Sequence, residues 1–245
     1  MKSEEVRKIV SKGYTKIAKG EGSCCTCSSK KNEQEEIAKN IGYSKEELKV
    51  PGNLGLGCGN PIALSNMKEG DTVLDLGSGA GFDCFLASRK VGKTGKVIGV
   101  DMTVKMIQRA RENALKNNYS NVEFKLGEIE NLPIQDESID VIISNCVINL
   151  SPEKEKVFKE AKRVLKKSGK MYVSDIVLLK ELEEERKNNP ELLCGCVAGA
   201  VLKEDYLNIA KKAGLKVKIL GEDTGISKKQ YSGIPLESLK LELTK

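Results

Sequence analysis

The chain has no histidine and no tryptophan, and aromatic residues make up only 4% of its 245 residues. Without histidine there is no mixed cysteine–histidine zinc site, and the commonest proton shuttle of enzymes is missing, which leaves Asp, Glu or Tyr for any acid–base role. The eight cysteines form no pair of C-x-x-C motifs, so the all-thiolate zinc templates fail as well. With few rings to stack on bases and no basic tail, nucleic-acid binding finds little support. The net charge of +6 comes from lysines interspersed with glutamates, as in Glu153-Lys154-Glu155-Lys156 and Lys159-Glu160-Ala161-Lys162-Arg163, which read as solvated helix faces. No apolar run approaches the ~18 residues that cross a bilayer. The stretch Met1 to Lys8 is charged and lacks the apolar centre of a signal peptide. The expectation is a soluble, cytoplasmic protein that binds neither membrane nor nucleic acid. In a reducing compartment its cysteines are ligands or redox groups rather than structural bridges. The length suffices for a substantial core without disulfide staples.

What is present is concentrated in Val73-Leu74-Asp75-Leu76-Gly77-Ser78-Gly79-Ala80-Gly81-Phe82-Asp83. It reads as a short buried strand, an abrupt glycine turn and the start of a helix near Cys84. Glycines in such a turn reach positive φ and let a backbone approach a ligand closely. The spacing is G-x-G-x-G rather than the dinucleotide G-x-G-x-x-G, and no Gly-Lys-Ser/Thr run suggests a phosphate loop. A second buried strand, Lys96 to Val100, ends in Asp101. An acid about 20 positions beyond the turn is placed to accept from ribose hydroxyls, and Asp101 also suits a helix N-cap. Glu128 follows a third strand, Val122–Leu126.

Apolar residues at helical spacing (Val6, Ile9, Val10, Tyr14, Ile17) predict a helix over 3–19. Residues 20–32 form a Gly, Ser and Cys loop, a helix follows near 33–40, and Ser44-Lys45-Glu46-Glu47 fits a capping box. Strands are predicted at 72–76, 97–100, 122–126, 139–144 and 170–176, with helices near 84–90, 103–117 and 152–167, the last closed by Ser168-Gly169. Residues 181–213 read as helical with a break at Asn188-Asn189-Pro190, and late strands fall at 216–220 and 239–243. This alternation predicts an α/β fold with a mostly parallel central sheet covered by helices on both faces. It divides into an N-terminal helical and cysteine-loop segment (1–70), a Rossmann-like core (71–178) and a C-terminal substrate-binding cap region that completes the sheet (179–245).

The glycine turn resembles motif I of the class I S-adenosylmethionine methyltransferases. That resemblance implies a Rossmann-like core with Asp75, Gly77, Ser78, Gly79, Gly81, Asp101, Met102, Glu128, Ile129 and Asn145 around the cofactor, Glu128 near the adenine. Five further segments narrow it: Asn53-Leu54-Gly55-Leu56-Gly57-Cys58-Gly59-Asn60-Pro61, Gly99 to Thr103, Ser144-Asn145-Cys146-Val147-Ile148-Asn149-Leu150, Cys196-Val197-Ala198-Gly199-Ala200, and Lys229-Gln230-Tyr231 to Leu241. Together with Asp75 to Cys84 they look like the arsenite methyltransferases over nearly the whole chain from about Ser44. The resemblance implies that Cys146 and Cys196 are arsenic ligands and that Cys58 joins the ligand set or a redox relay. The remaining relay cysteine is sought among Cys24, Cys25 and Cys27, which match the family only loosely. Cys84 reads as packing first, although a helix N-terminus can lower a thiol pKa. Cys194 is a spare thiol beside Cys196.

Soft thiolates suit trivalent arsenic better than imidazole or carboxylate. Arsenic held by thiolates keeps a lone pair and has no proton to remove, which is compatible with the missing histidine. The implied partners are arsenite or methylated trivalent arsenicals and a thiol reductant such as thioredoxin or a small thiol, acting on a monomer. The other readings are methyl transfer to an organic small molecule, with the cysteines incidental, and a thiol-rich metalloid trap, which the intact glycine turn and Asp101 oppose.

Overall fold

The computed structural model describes residues 1–21 and 31–245. In chain order they form α1 (Ser3–Lys19), α2 (Lys31–Asn40), α3 (Pro61–Leu64), β1 (Thr72–Leu76), α4 (Phe82–Val91), β2 (Lys96–Asp101), α5 (Val104–Lys116), β3 (Val122–Leu126), β4 (Ile139–Asn145), α6 (Lys154–Val164), β5 (Leu165–Leu178), α7 (Glu184–Lys187), α8 (Pro190–Cys194), α9 (Lys203–Lys212), β6 (Lys216–Asp223), α10 (Ile226–Gln230) and β7 (Leu236–Thr244). Short 3₁₀ turns occupy Glu47–Lys49 and Ile148–Leu150. The capping box holds: Ser44 N donates to Glu47 Oε2 and Glu47 N to Ser44 Oγ. It opens the 3₁₀ turn.

The seven strands make one sheet in the order β3-β2-β1-β4-β5-β7-β6. The first five run parallel, and β7 pairs antiparallel with both β5 and β6. Period-two alternation sends Val73, Val97, Val141, Ile143 and Tyr172 to one face, among residues of α4 and α5 such as Phe85, Ile107 and Ala110. Leu74, Leu76, Ile98, Val100, Ile142 and Val173 go to the other, against Val157 and Phe158 of α6 and Tyr206 of α9. Each fully buried aliphatic side chain contributes roughly 1.5–3 kcal/mol, which makes the alternating strands the main source of cohesion. The strand order reverses between β1 and β4, and open sheets of this kind bind ligands outside the carboxyl ends of the strands at that point. Asp75 and Asn145 lie at those ends.

Two elements differ from expectation. The helix predicted over 152–167 stops at Val164, so Ser168-Gly169 is not its C-cap. Leu165 turns extended because its side chain is drawn fully into the core and its backbone pairs with Ile139. The register then shifts, Val141 pairing with Lys170. Gly169 sits in that irregularity, where a Cβ would come within 2.9 Å of the Ile139 carbonyl. The helical run predicted over 181–213 is broken into α7, α8 and α9, with 195–202 non-helical. Asn189 accepts from the Glu191 and Leu192 N–H groups and Pro190 takes the first turn, so the predicted break becomes a helix start.

Beneath the carboxyl ends of β4 and β5 lies a buried polar knot. Asp175 accepts from Asn149 N (3.2 Å), Asn149 Nδ2 (2.9 Å), Ile176 N (3.0 Å) and Tyr206 Oη (2.9 Å). Burial pushes the Asp175 carboxyl up to about 7, against the opposing effects of the Tyr206 hydrogen bond and the Lys154 charge. A carboxyl raised above its unfolded value loses stability as pH climbs from about 4 to 7, because the unfolded chain ionises first. Tyr206→Phe removes a donor that favours the ionised form while keeping the ring against Phe158. Urea unfolding is expected to show a loss of about 1–2 kcal/mol at pH 8 and a smaller loss at pH 5.5; an equal loss at both would mean that the hydroxyl does not serve the ionised carboxylate.

Candidate cofactor and cysteine site

The glycine turn is tied down at its start. Gly77 N and Ser78 N both donate to the Val100 carbonyl of β2, at 2.8 and 3.0 Å. Gly77, Gly79 and Gly81 have φ of 68°, 52° and 93°. A Cβ on Gly77 would meet the Val147 methyls at 2.5 Å, and one on Gly81 would meet Phe124 and Phe85 at 2.7 and 2.8 Å. At Gly79 a Cβ would meet nothing within 4 Å. Packing therefore demands Gly77 and Gly81, whereas Gly79 presents bare backbone to open space. Asp101 braces the turn: Oδ2 accepts Gly79 N at 3.0 Å and Oδ1 accepts Thr103 N at 2.7 Å. Asp101 is not the N-cap of α5, a position taken by Thr103; it accepts the Thr103 N–H just ahead of the helix and lines the cavity. Burial raises its pKa, partly offset by the hydrogen bonds from Thr103 and Gly79.

The cavity floor is acidic. Asp75 and Asp83 are both buried. Burial, then the neighbouring Asp83, holds Asp75 well above the usual carboxylate range. Asp83 is pushed up to about 6 by burial, against hydrogen bonds from Tyr43 Oη (2.6 Å) and Asn145 Nδ2 (3.3 Å). Cys84 donates to Asp75 Oδ2 at 3.2 Å. Burial and Asp75 raise its pKa well above the ordinary thiol value, so the helix N-terminus does not activate it.

Three cysteines from distant segments meet beyond that floor. Cys58 and Cys146 are joined by a disulfide, with Cα atoms 5.9 Å apart across 88 residues. Cys196 Sγ donates to the Cys146 carbonyl at 2.9 Å. Cys146 and Cys196 have φ of 55° and 67°, a left-handed conformation that costs a non-glycine residue of order 1–3 kcal/mol and clusters at functional sites. A carboxylate oxygen of Asp175 and the sulfurs of Cys58 and Cys146 lie within 4.8 Å of one another.

Of the residues singled out in the sequence, Asp75, Gly77, Ser78, Gly79, Asp101, Met102, Ile129, Asn145, Cys146 and Cys196 line one cavity. Gly81 lies behind the wall, against Phe85 and Phe124. Cys58 is buried and joined to the cavity through Cys146. Glu128 points outward, half exposed, to Arg7 of α1, which also pairs with Glu130 and Glu153. Cys194 lines the cavity from α8, its sulfur lying where a Cβ on Gly13 of α1 would have to be. Cys24, Cys25 and Cys27 lie outside the described residues. Sequence reading missed Arg7, Val10 and Tyr14, which make α1 a roof over the cavity, and the buried pair Tyr43–Asp83. For α1 the signal was its amphipathic face, which says that it packs but not on what; for Tyr43 there was none.

The fold and the braced glycine turn define the class, and the methyltransferase-domain family matches residues 67–214. The chain is 44% identical over 238 residues to an arsenite methyltransferase of Halobacterium salinarum, which covers 90% of this chain and 60% of that protein. It is 40% identical over 167 residues to an arsenite methyltransferase of Homo sapiens, covering 64% and 44%. Among solved structures it is similar to an arsenic(III) S-adenosylmethionine methyltransferase from Chlamydomonas reinhardtii, at 34% identity and a TM-score of 0.68, covering 85% of this chain and 73% of that one. The chain belongs to the arsenite methyltransferase family. It spans about half the length of the curated relatives it matches.

The residues present fit the family's cofactor, S-adenosylmethionine. Open space at Gly79 admits a ligand against the backbone, and the buried Asp83, once ionised, complements its cationic groups. A carboxylate attracts a cation only when ionised. Affinity for S-adenosylmethionine, measured by calorimetry, is therefore expected to tighten up to about tenfold between pH 5 and 7.5, following Asp83, with Asp83→Asn flattening the profile; a flat wild-type profile would remove Asp83 from cation recognition.

Proposed function

We propose that the protein methylates trivalent arsenic held by its own cysteine thiolates, with S-adenosylmethionine as methyl donor. When bound, that cofactor supplies an electrophilic methyl group. The turn at Gly77–Gly79 and the side chains of Asp75, Asp101, Met102 and Ile129 would hold it. Cys58 and Cys146, once the disulfide between them is reduced, would hold the metalloid together with Cys196 by soft thiolate bonds. Catalysis would then rest mainly on alignment, worth up to about 7–11 kcal/mol when groups are held in near-attack geometry. The observation that carries the reading is the convergence of Cys146 and Cys196 in the same cavity that the open glycine turn lines.

Two further parts belong to the same reading. Cys58 and Cys146, which the structure joins by a disulfide, would give two electrons to arsenic as that bond closes, and an external thiol reductant would reopen it. The segment after about residue 178 acts as the substrate-binding cap of a monomer, bringing Cys196 to the cavity through α8. No helix among the described residues is long and apolar enough to cross a membrane.

The test is turnover with arsenite, S-adenosylmethionine and a thiol reductant, products being separated by chromatography with arsenic-specific detection. Cys146→Ser and Cys196→Ser are each expected to lower turnover at least 100-fold while leaving S-adenosylmethionine affinity within about threefold. Full activity in both variants would show that the acceptor is not held by these sulfurs.

A further inference from the structure

Cys58 sits between two glycines, and the structure explains both. A Cβ on Gly57 would lie 2.8 Å from the Asn145 carboxamide, and one on Gly59 would lie 2.6 Å from Ser174 Oγ. The loop is pressed against the ends of β4 and β5, and the group it presses on is the side chain next to Cys146. A carboxamide offers one acceptor oxygen and two N–H donors. Asn145 Oδ1 accepts the Cys58 N–H at 3.1 Å, and Nδ2 donates to the Gly59 carbonyl at 2.8 Å. One amide therefore grips the backbone on both sides of Cys58. Ser238 Oγ donates to the Cys58 carbonyl at 2.7 Å, and Gln230 Nε2 to the Gly57 carbonyl at 3.1 Å, so the loop is fixed from the C-terminal segment too. The same Nδ2 also lies 3.0 Å from Tyr43 Oη and 3.3 Å from Asp83 Oδ2. The amide's valences are thus engaged by the protein itself.

We propose that Asn145 is a positioning residue for Cys58: its amide presets that cysteine at closing distance from Cys146 and connects the pair to Tyr43 and Asp83 on the cavity floor. Pre-set geometry raises the effective concentration of one thiol against the other. Closing with oxidised glutathione balances as follows. The Cys58 and Cys146 thiols give up two electrons and two protons, the glutathione disulfide is cleaved, and one protein disulfide and two molecules of glutathione result. Asn145 takes no part in the bond changes. It sets how strongly they favour the ring.

The proposal rests on the reading of Cys58 and Cys146 as working thiols, but its test contains no arsenic. A failure here would leave methyl transfer standing, and a failure of methyl transfer would not move this constant. The full chain is equilibrated in glutathione buffers of known ratio, quenched with acid and alkylated. The Cys58–Cys146 bridge is then counted by peptide mass spectrometry. Asn145→Ala and Asn145→Ser are both measured, with thermal unfolding to confirm that the variant used is folded. Either is expected to lower the closing constant about tenfold, in line with the loss of two backbone hydrogen bonds. Tyr43→Phe, which leaves the grip on Cys58 in place, is expected to stay within about twofold of the parent protein. The proposal is overturned if the Asn145 variants close as readily as the parent, or if Tyr43→Phe falls by as much as they do.

Discussion

At the carboxyl end of β4 the chain turns through a left-handed residue, and that residue is Cys146 rather than a glycine. Much of the site depends on the turn being held. The Cys146 N–H donates to the Ser174 carbonyl of β5, its own carbonyl accepts the Cys196 thiol, and its sulfur reaches Cys58. Three remote segments are thereby fastened to one corner at the point where the strand order reverses. The backbone strain is offset by the sheet on one side and by the buried Asp175 knot on the other.

The corner also brings two kinds of chemistry close together. Val147, one residue on, packs where a Cβ on Gly77 would have to be, so the cysteine corner and the glycine turn share a wall. Asn145, one residue back, contacts the Cys58 loop and the Asp83–Tyr43 pair. A soft, thiol-lined compartment and an acidic one suited to a cation are thus built on three consecutive residues. Neither compartment calls for a histidine, which accords with a chain that has none.

How much of this was legible depended on the range of the interaction. Strands buried on both faces read as apolar runs, and the G-x-G-x-G turn announces itself locally, so the parallel core and the cavity mouth were visible in the sequence. The end of α6 was not, because Leu165 is pulled extended by pairing with Ile139, and the local pattern favoured a stop at Gly169 instead. Glu128 turned outward for a similar reason: its partner Arg7 arrives from a helix about 120 residues earlier. The polar knot of Asp175, Asn149 and Tyr206 joins residues of three elements that no spacing rule connects. The cysteine motifs suggested ligands by resemblance, whereas their convergence appears only once the sheet is assembled.

The central claim is that sulfurs alone hold the metalloid at this corner. Arsenic K-edge X-ray absorption of the fully reduced 245-residue chain, loaded with one equivalent of arsenite, reads the atoms around arsenic without requiring turnover. Arsenic surrounded only by sulfur, reverting to mixed sulfur and oxygen in Cys146→Ser and in Cys196→Ser, is the expected result. Arsenic that keeps its oxygens in the parent protein, or a sulfur shell indifferent to both substitutions, would contradict it.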